Sequence, residues 1–565
     1  MQIYNKYISV TEKSSRKKFS FYIPADLNID DHIKSFPPTE IEKFDQCKLL
    51  YILHLILYLP TVNEDNQNKA GYTHLSSELL RKKISDYKDY LDYLKRTLVI
   101  KQLKNRYSTK LHFSKSYRVN YNKFSSRIKR INIYGSSRFL TSLTRARPMA
   151  NSDLKELKTT YSYITQWLDD GLKLDMKAAM QYIDYIRLSQ LQLPYVVDSE
   201  KINAYLATIE IALDRINEGD ISYSIDKTSG RLHSNLTNFK KEFRHFLTYK
   251  GESLVSLDIR SCQPYLSQLL LNPEFWYDRT IMAKKKPGPK QKHDKKPVII
   301  NSALSWLSKV WIEPQSHIGL MATEPIRFQD VIERMKPELV AAAGRGRENF
   351  VMSQFNEYRL NNQAINEYIN CVNTGDIYNT LLQFTKKEKL SDEKLYRLLA
   401  DTNIKLTRDA FKLFTLYALY APLRSNNKMT RLAHYIFRKR FPAMFEVLRL
   451  IKRAGYKTTS IMLQAVESEI MINRVCKKIN AVNHRIPFFT IHDSILTTVK
   501  YQSIVEQIMK DELAKAIGFA PTITVEQLSP KAILKKPIPT FSKRDDDYAI
   551  LLDELFSETP LPKRA

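Results

Sequence analysis

Two aspartates in this chain stand where a carboxylate can hold a cation. In GESLVSLDIRSCQPYLSQLL, the apolar residues Leu254, Val255 and Leu257 read as a buried strand ending at Asp258, and Pro264 opens an apolar helix just beyond. In RIPFFTIHDSILTTVK, Ile486 to Ile491 reads as an apolar strand interrupted by Pro487, His492-Asp493-Ser494 as a turn, and Ile495 to Val499 as a returning strand. Taken singly, Asp258 is equally a helix cap and Asp493 equally an Asp-Ser turn. Between them lies LTRDAFKLFTLYALYAP, in which Arg408 and Lys412 share one helix face and Tyr420 follows eight residues later. Two cations and a phenol on one side of a helix suit a nucleoside triphosphate: charge for the phosphates, a ring for the base. A solvated basic stripe on a core helix is the other reading of that segment.

In chain order, these segments resemble motifs A, B and C of the family-A DNA polymerases, a superfamily that includes the single-subunit phage-type RNA polymerases. Motif A there is a strand ending in the first metal aspartate, motif B is Arg-x3-Lys-x7-Tyr-Gly, and motif C is a His-Asp hairpin. Here Arg408-x3-Lys412-x7-Tyr420 is followed by Ala421 instead of glycine. Upstream, TSGRLHSNLTNFKKEFRHFL is similar to the family's TGRLSS-x2-PNLQN segment, which puts Arg231, Asn235 and Asn238 along a template–primer duplex. RFPAMFEVLRLIKRAGY followed by LQAVESEIMINRV is similar to the family's RYP…GY and MQGTAAD, which puts Gln464 at a minor-groove contact.

The resemblance implies a two-metal nucleotidyl transferase. Two Mg²⁺ ions would be held by Asp258, Asp493 and the backbone carbonyl of Ile259, with no histidine or cysteine cluster needed, because Mg²⁺ keeps oxygen ligands and shares the substrate phosphates. Arg408 and Lys412 would grip the triphosphate, and Lys412 would protonate the leaving pyrophosphate. Tyr420 would close the nascent base-pair pocket, and His492 would touch the primer terminus. Besides Ala421, three positions depart from the DNA enzymes. Ser494 replaces the glutamate after the motif-C aspartate, as in the phage-type RNA polymerases. Gln263, five residues after Asp258, replaces a glutamate that packs against the sugar to exclude a 2′-hydroxyl; it is nearly isosteric and can serve as that gate. Leu416 stands where the DNA enzymes have an aromatic residue.

The elements that must position these residues follow from composition and pattern. The chain has 565 residues, 43% hydrophobic and 11% aromatic, enough for several domains and more than one core. Its 89 basic and 60 acidic residues leave a net charge of +29, which suits a polyanionic partner. Four scattered cysteines show neither CxxC nor zinc spacing and fit a reducing, cytoplasmic setting. The start has no apolar signal core, and the longest apolar run, Leu49 to Leu59, is too short to span a bilayer, so no membrane is expected.

The expected fold class is mixed α/β and helix-rich: a right-hand polymerase (palm, fingers, thumb) with an N-terminal winged-helix-like domain. Residues 1–125 form that domain: an apolar helix from Phe44 to Leu59, a short helix capped by Ser76 or Ser77, a second capped by Ser85, a turn at Lys104-Asn105, and the alternating KLHFSKSYRVNY. A generic helical hairpin with two strands is the alternative. Residues 126–225 read as a helical thumb-like region with long amphipathic helices at Leu154 to Leu172 and Ser199 to Ile216. Residues 226–270 read as palm with motif A, 271–440 as fingers with motif B, and 441–565 as palm with motif C and a tail. The long stretch from Asp258 to Arg408 is expected to contain an insertion with the basic loop AKKKPGPKQKHDKKP; Arg345-Gly346-Arg347 is a similar basic patch, and DDDYAILLDELF reads as an acidic amphipathic helix. No paired-carboxylate proofreading motif precedes Arg231.

The leading expectation is a DNA-directed DNA polymerase that extends a primer on a template with dNTPs, in the setting of a phage, plasmid or other mobile element. A phage-type RNA polymerase is the first alternative, and a non-catalytic DNA-binding regulator the second.

Overall fold

The computed structural model describes residues 2–5, 8–13, 16–63, 66–68, 70–103, 114–135, 137–144, 157–169, 171–191, 199–226, 228–272, 275, 322–326, 362–453 and 455–534. These residues are mixed α/β and rich in helix. The Lys104-Asn105 turn, the basic loop at 283–297, the 345–347 patch and the acidic C-terminal segment lie outside them. The chain divides into two compact units: one holds 1–224, 233–254 and 527–534 of the described residues, the other 225–232 and 255–526.

The first unit is built on the Gln46–Val62 helix, whose residues Leu49 to Thr61 are buried without a break. A helix apolar all round must be surrounded by other elements. Its buried polar groups are satisfied: the Tyr22 amide donates to His54 Nδ1 at 3.2 Å, and Thr61 Oγ1 donates to the Tyr58 carbonyl at 2.7 Å. Against it lies a sheet that the sequence reading did not anticipate: β1 (Gln2–Asn5), β2 (Ile8–Lys13), β3 (Arg16–Pro24) and β7 (Ile128–Tyr134), in that order. β7 pairs along seven residues of β3, Lys18↔Tyr134 to Pro24↔Ile128, which joins residue 128 onward to the N-terminal segment. A three-stranded sheet, β4 (Thr73–Leu75), β6 (Lys115–Val119) and β5 (Ile100–Gln102), flanks two short helices. Ser76 caps the first of these, Ser77–Lys83, accepting from the Leu79 amide at 3.3 Å. The second, Tyr87–Arg96, starts after Asp86 and not Ser85, and no side chain caps it.

The helix expected from Leu154 to Leu172 does not form as one element. Helix breaks at Tyr161 and ends with the single turn Ser162–Thr165; Asp169 Oδ1 then accepts from the Gly171 amide at 2.9 Å, and Leu172–Leu174 becomes β8. β8 pairs with β11 (Leu247–Tyr249), and β11 pairs with the first residues of β12 (Glu252–Ile259). The Ser199–Asn217 helix covers the second expected span. Between β9 (Tyr223–Ile225) and β10 (Leu232–Ser234), residues 225–232 belong to the second unit.

In the second unit, β13 (Phe488–Ile491) and β14 (Ser494–Thr498) form an antiparallel hairpin, and β14 lies beside β12. β15 (Ile523–Gln527) also pairs with β12. β13 and β14 are buried along their whole length, as strands covered on both faces must be. The helical part includes Asn362–Asn373, Ile377–Glu388, Arg408–Tyr420, Lys428–Arg440, Pro442–Arg453 and Thr458–Ser468. Aromatic edges lock its core, as where Tyr368 meets Phe441 at 5.0 Å and 82°. Thr458–Ser468 runs on into a π-helical stretch, Glu469–Cys476. No helix among the described residues is long and apolar enough to cross a membrane.

Candidate active site

Asp258 is the next-to-last residue of β12. Leu257 and Ile259 are buried on one face of that strand, and the alternation of side chains puts Ser256 and Asp258 on the other, more open face. Asp493 occupies a two-residue loop with His492, because Ile491 pairs directly with Ser494. Ser494 Oγ donates to the Ile491 carbonyl at 2.9 Å and closes the hairpin neck. The two aspartates therefore come from neighbouring strands, at the end of one and at the tip of the other. Left-handed backbone on a non-glycine residue lies near each: His492, next to Asp493, at φ 55°, and Ser261, three residues after Asp258, at φ 54°. Such residues cost about 1–3 kcal/mol each and concentrate at functional sites.

Electrostatics tie the pair together. Burial pushes the Asp493 carboxyl well above the usual carboxylate range, and the charges of Glu467 and Asp258 push it further; Arg231 opposes them. The Cys262 thiol is raised by burial and then by Asp493, Glu467 and Asp258. Three carboxylates thus act on one small volume.

Glu467 was not singled out by sequence reasoning. It lies on the Thr458–Ser468 helix, is 2% exposed, and accepts two bonds on the same oxygen. Arg231 Nη2 donates to Oε2 at 2.7 Å, and Gln263 Nε2 donates to Oε2 at 2.5 Å. The Tyr420 hydroxyl donates to Gln263 Oε1. One chain of contacts therefore runs Arg231–Glu467–Gln263–Tyr420 beside the two aspartates. Its place becomes clear only with the burial of its neighbours: it falls four residues after Leu463 and three before Ile470, both buried, so it is an acid on the apolar stripe of its helix.

Of the residues expected at the site, Asp258, Asp493, Arg231, Gln263 and Tyr420 are brought together, with Ile259 and His492 adjacent in the chain. Gln464 is half-buried, one turn before Glu467. Arg408 and Lys412 lie toward the start of the helix that ends with Tyr420. The Arg408 guanidinium sits 5.1 Å from the centre of the Tyr378 ring, and Lys412 is exposed. No contact among the described residues joins either cation to the aspartates. Asn235 and Asn238 belong to the first unit. Asn235 accepts from the Ser222 amide at 2.7 Å and donates to the Asp220 carbonyl, and Asn238 donates to the Val62 carbonyl at 2.9 Å. Their amides are engaged within that unit.

The Tyr420 end of its helix is held by an unexpected group. Lys452, 5% exposed, donates to the carbonyls of Ala418 and Ala421 at 2.6 and 2.8 Å. Burial lowers its ammonium to about 7. His434 Nε2 approaches the Tyr417 carbonyl at 3.3 Å, and burial, then the Lys452 charge, lower its imidazole to about 4.

Among the described residues no group of three or more His, Cys, Asp and Glu side chains is arranged to hold a metal ion. Mg²⁺ does not need one, since it takes one or two carboxylates and completes its shell with water and phosphate oxygens. Two aspartates whose mutual repulsion opposes ionisation, next to a strand-end carbonyl at Ile259, are a donor set that fits it.

No protein-family model and no curated protein matches the chain. Among solved structures it is similar to the POL domain of Pol1 from M. smegmatis, in complex with DNA primer-template and dNTP. That match has 13% identity and a TM-score of 0.24, and covers 70% of this chain and 75% of the other.

Proposed function

We propose that the chain is a template-directed DNA polymerase that adds deoxynucleotides to a primer 3′ end. The observation that carries this reading is the placement of Asp258 and Asp493, distant in sequence, in one electrostatic cluster with Gln263 and Tyr420 alongside. When bound, two Mg²⁺ ions at Asp258, Asp493 and the Ile259 carbonyl supply stabilisation for the charge that develops on the attacking and leaving oxygens. The chain's own groups do the rest. Tyr420 and Gln263 form a wall for the base pair and sugar of the incoming nucleotide. Arg408 and Lys412 hold its phosphates, and Lys412 gives a proton to the leaving pyrophosphate. Arg231, Gln464 and His492 meet the primer–template.

We read the helix, strand, two helices and two strands of the first unit (46–119) as a winged-helix-type element, and the net charge of +29 supports duplex binding by it. The palm, fingers and thumb spans expected from sequence belong to this same proposal.

The test is primer extension on DNA and RNA templates, each with dNTPs or NTPs and Mg²⁺. Extension of a DNA-templated primer with dNTPs is expected. Synthesis only with NTPs would transfer the reading to an RNA polymerase, in line with Ser494, and no synthesis in any combination would remove it.

A further inference from the structure

Gln263 carries the sugar gate in the reading above, yet an amide is an ambiguous gate. Its two ends are nearly the same shape, one donating and the other accepting, and only neighbours decide which faces where. Here one neighbour is acceptor-only: Glu467 Oε2 receives Nε2 at 2.5 Å. That bond turns Oε1 toward the Tyr420 hydroxyl, which donates to it. Glu467 is itself held by Arg231 at 2.7 Å, and its side chain is 2% exposed. The bond spans 204 positions of sequence and joins the segment after Asp258 to a helix that contributes none of the expected metal ligands.

We infer that Glu467 is a positioning residue that sets sugar discrimination by pinning the Gln263 amide, and that it is the reason position 263 is glutamine. A glutamate at 263 would set a second carboxylate against Glu467, beside Asp258 and Asp493. Like charges so placed disfavour ionisation of both, and the gate would be pushed away from Tyr420. The two positions form an exchangeable pair: one amide and one carboxylate, in either order, keep a donor facing an acceptor and one negative charge beside Arg231.

The inference rests on the polymerase reading, and its test separates the two. The full chain is assayed by steady-state primer extension with one matched dNTP and the corresponding rNTP, and the ratio of their kcat/KM values is compared across variants. Glu467→Leu and Gln263→Glu are each expected to lower the ratio about tenfold or more, the scale of a lost hydrogen bond to a charged partner. Glu467→Gln, which keeps an acceptor at that place, and the exchange Gln263→Glu/Glu467→Gln are expected to stay within about threefold of wild type. Thermal melts confirm folding; if Gln263→Glu does not fold, the contrast between Glu467→Leu and Glu467→Gln decides alone. A ratio unmoved in Glu467→Leu, or an exchange variant no better than Gln263→Glu alone, overturns the inference while wild-type synthesis keeps the polymerase reading. Absence of synthesis by wild type overturns both.

Discussion

The Tyr420 hydroxyl donates to Gln263 Oε1, closing a contact between residues 157 positions apart. Tyr420 is 1% exposed, and Gln263 is half-buried, so the phenol is the fixed partner and the amide the one that can meet a substrate. Tyr420→Phe removes the donor and little else. The expected outcome is a folded protein whose preference for dNTP over rNTP falls about fivefold, the equivalent of about 1 kcal/mol. Competition between the two nucleotides in single-turnover extension measures it, and an unchanged preference would show that the hydroxyl does not act on the gate.

Asp493 is held in an environment that disfavours its charged form. With the folded-state carboxyl raised above its unfolded value, the folded state retains protons that the unfolded state releases, so this group's contribution falls as pH rises past the ordinary carboxylate range. Asp493→Asn should therefore abolish extension and, without divalent cations at pH 7.5, raise stability on the order of 1–2 kcal/mol. Mg²⁺ should raise the melting temperature of wild type and leave Asp493→Asn and Asp258→Asn unmoved. A wild-type melt insensitive to Mg²⁺ at millimolar concentration would count against the metal site.

Arg231 is the cation facing this acidic cluster. Arg231→Ala leaves Glu467 buried and without its ion-pair partner, next to two aspartates. A cost of about 3–5 kcal/mol is expected, and Arg231→Ala/Glu467→Leu should recover a large part of it. Denaturant unfolding of the two variants against wild type supplies the comparison.

His434 gives the clearest pH dependence. Its folded-state value is depressed from 6.5 to about 4 by burial and by Lys452. The stability it allows is complete above the unfolded value and is lost as pH falls from 6.5 toward 4, because only the unfolded imidazole takes up a proton in that window. Over that window the loss amounts to about 3 kcal/mol. His434→Gln keeps a donor for the Tyr417 carbonyl and should flatten the difference. Melting temperatures from pH 7 to pH 4, wild type minus variant, report it.

Much of the candidate site was legible because strand ends are. An apolar run that stops at an acid marks both Asp258 and Asp493, and the helix with Tyr420 at its end was readable from spacing. Glu467 was not, because an acid in LQAVESEI reads as a solvated helix position until the burial of Leu463 and Ile470 shows which stripe it occupies. Lys452 escaped for the same reason. In the first unit, the Gln46–Val62 helix followed from its apolar residues, whereas β1, β2 and β3 did not: ISVTEK and RKKFSFYIP are rich in charge, and the pairing of β3 with residues 128–134 is a long-range event that no local pattern announces. The expected helix through Leu172 is interrupted at Tyr161 and ends at Thr165, well before the Asp169–Gly171 turn that leads into β8.

The left-handed residues beside the aspartates have one more implication. His492 holds its costly backbone at the tip of the β13–β14 hairpin, and Ser261 holds its own between β12 and the Cys262–Ser267 helix. Under the proposed two-metal reading, sheet cohesion and cation affinity are drawn from one reservoir. Trimming a side chain deep in β14, such as Leu496→Ala, should weaken Mg²⁺ binding well before the protein melts, because the hairpin tip can relax into ordinary backbone once its strand no longer insists. Affinity at the tip becomes a gauge of packing several residues away, and selection for a tighter ion would be felt as selection on the sheet.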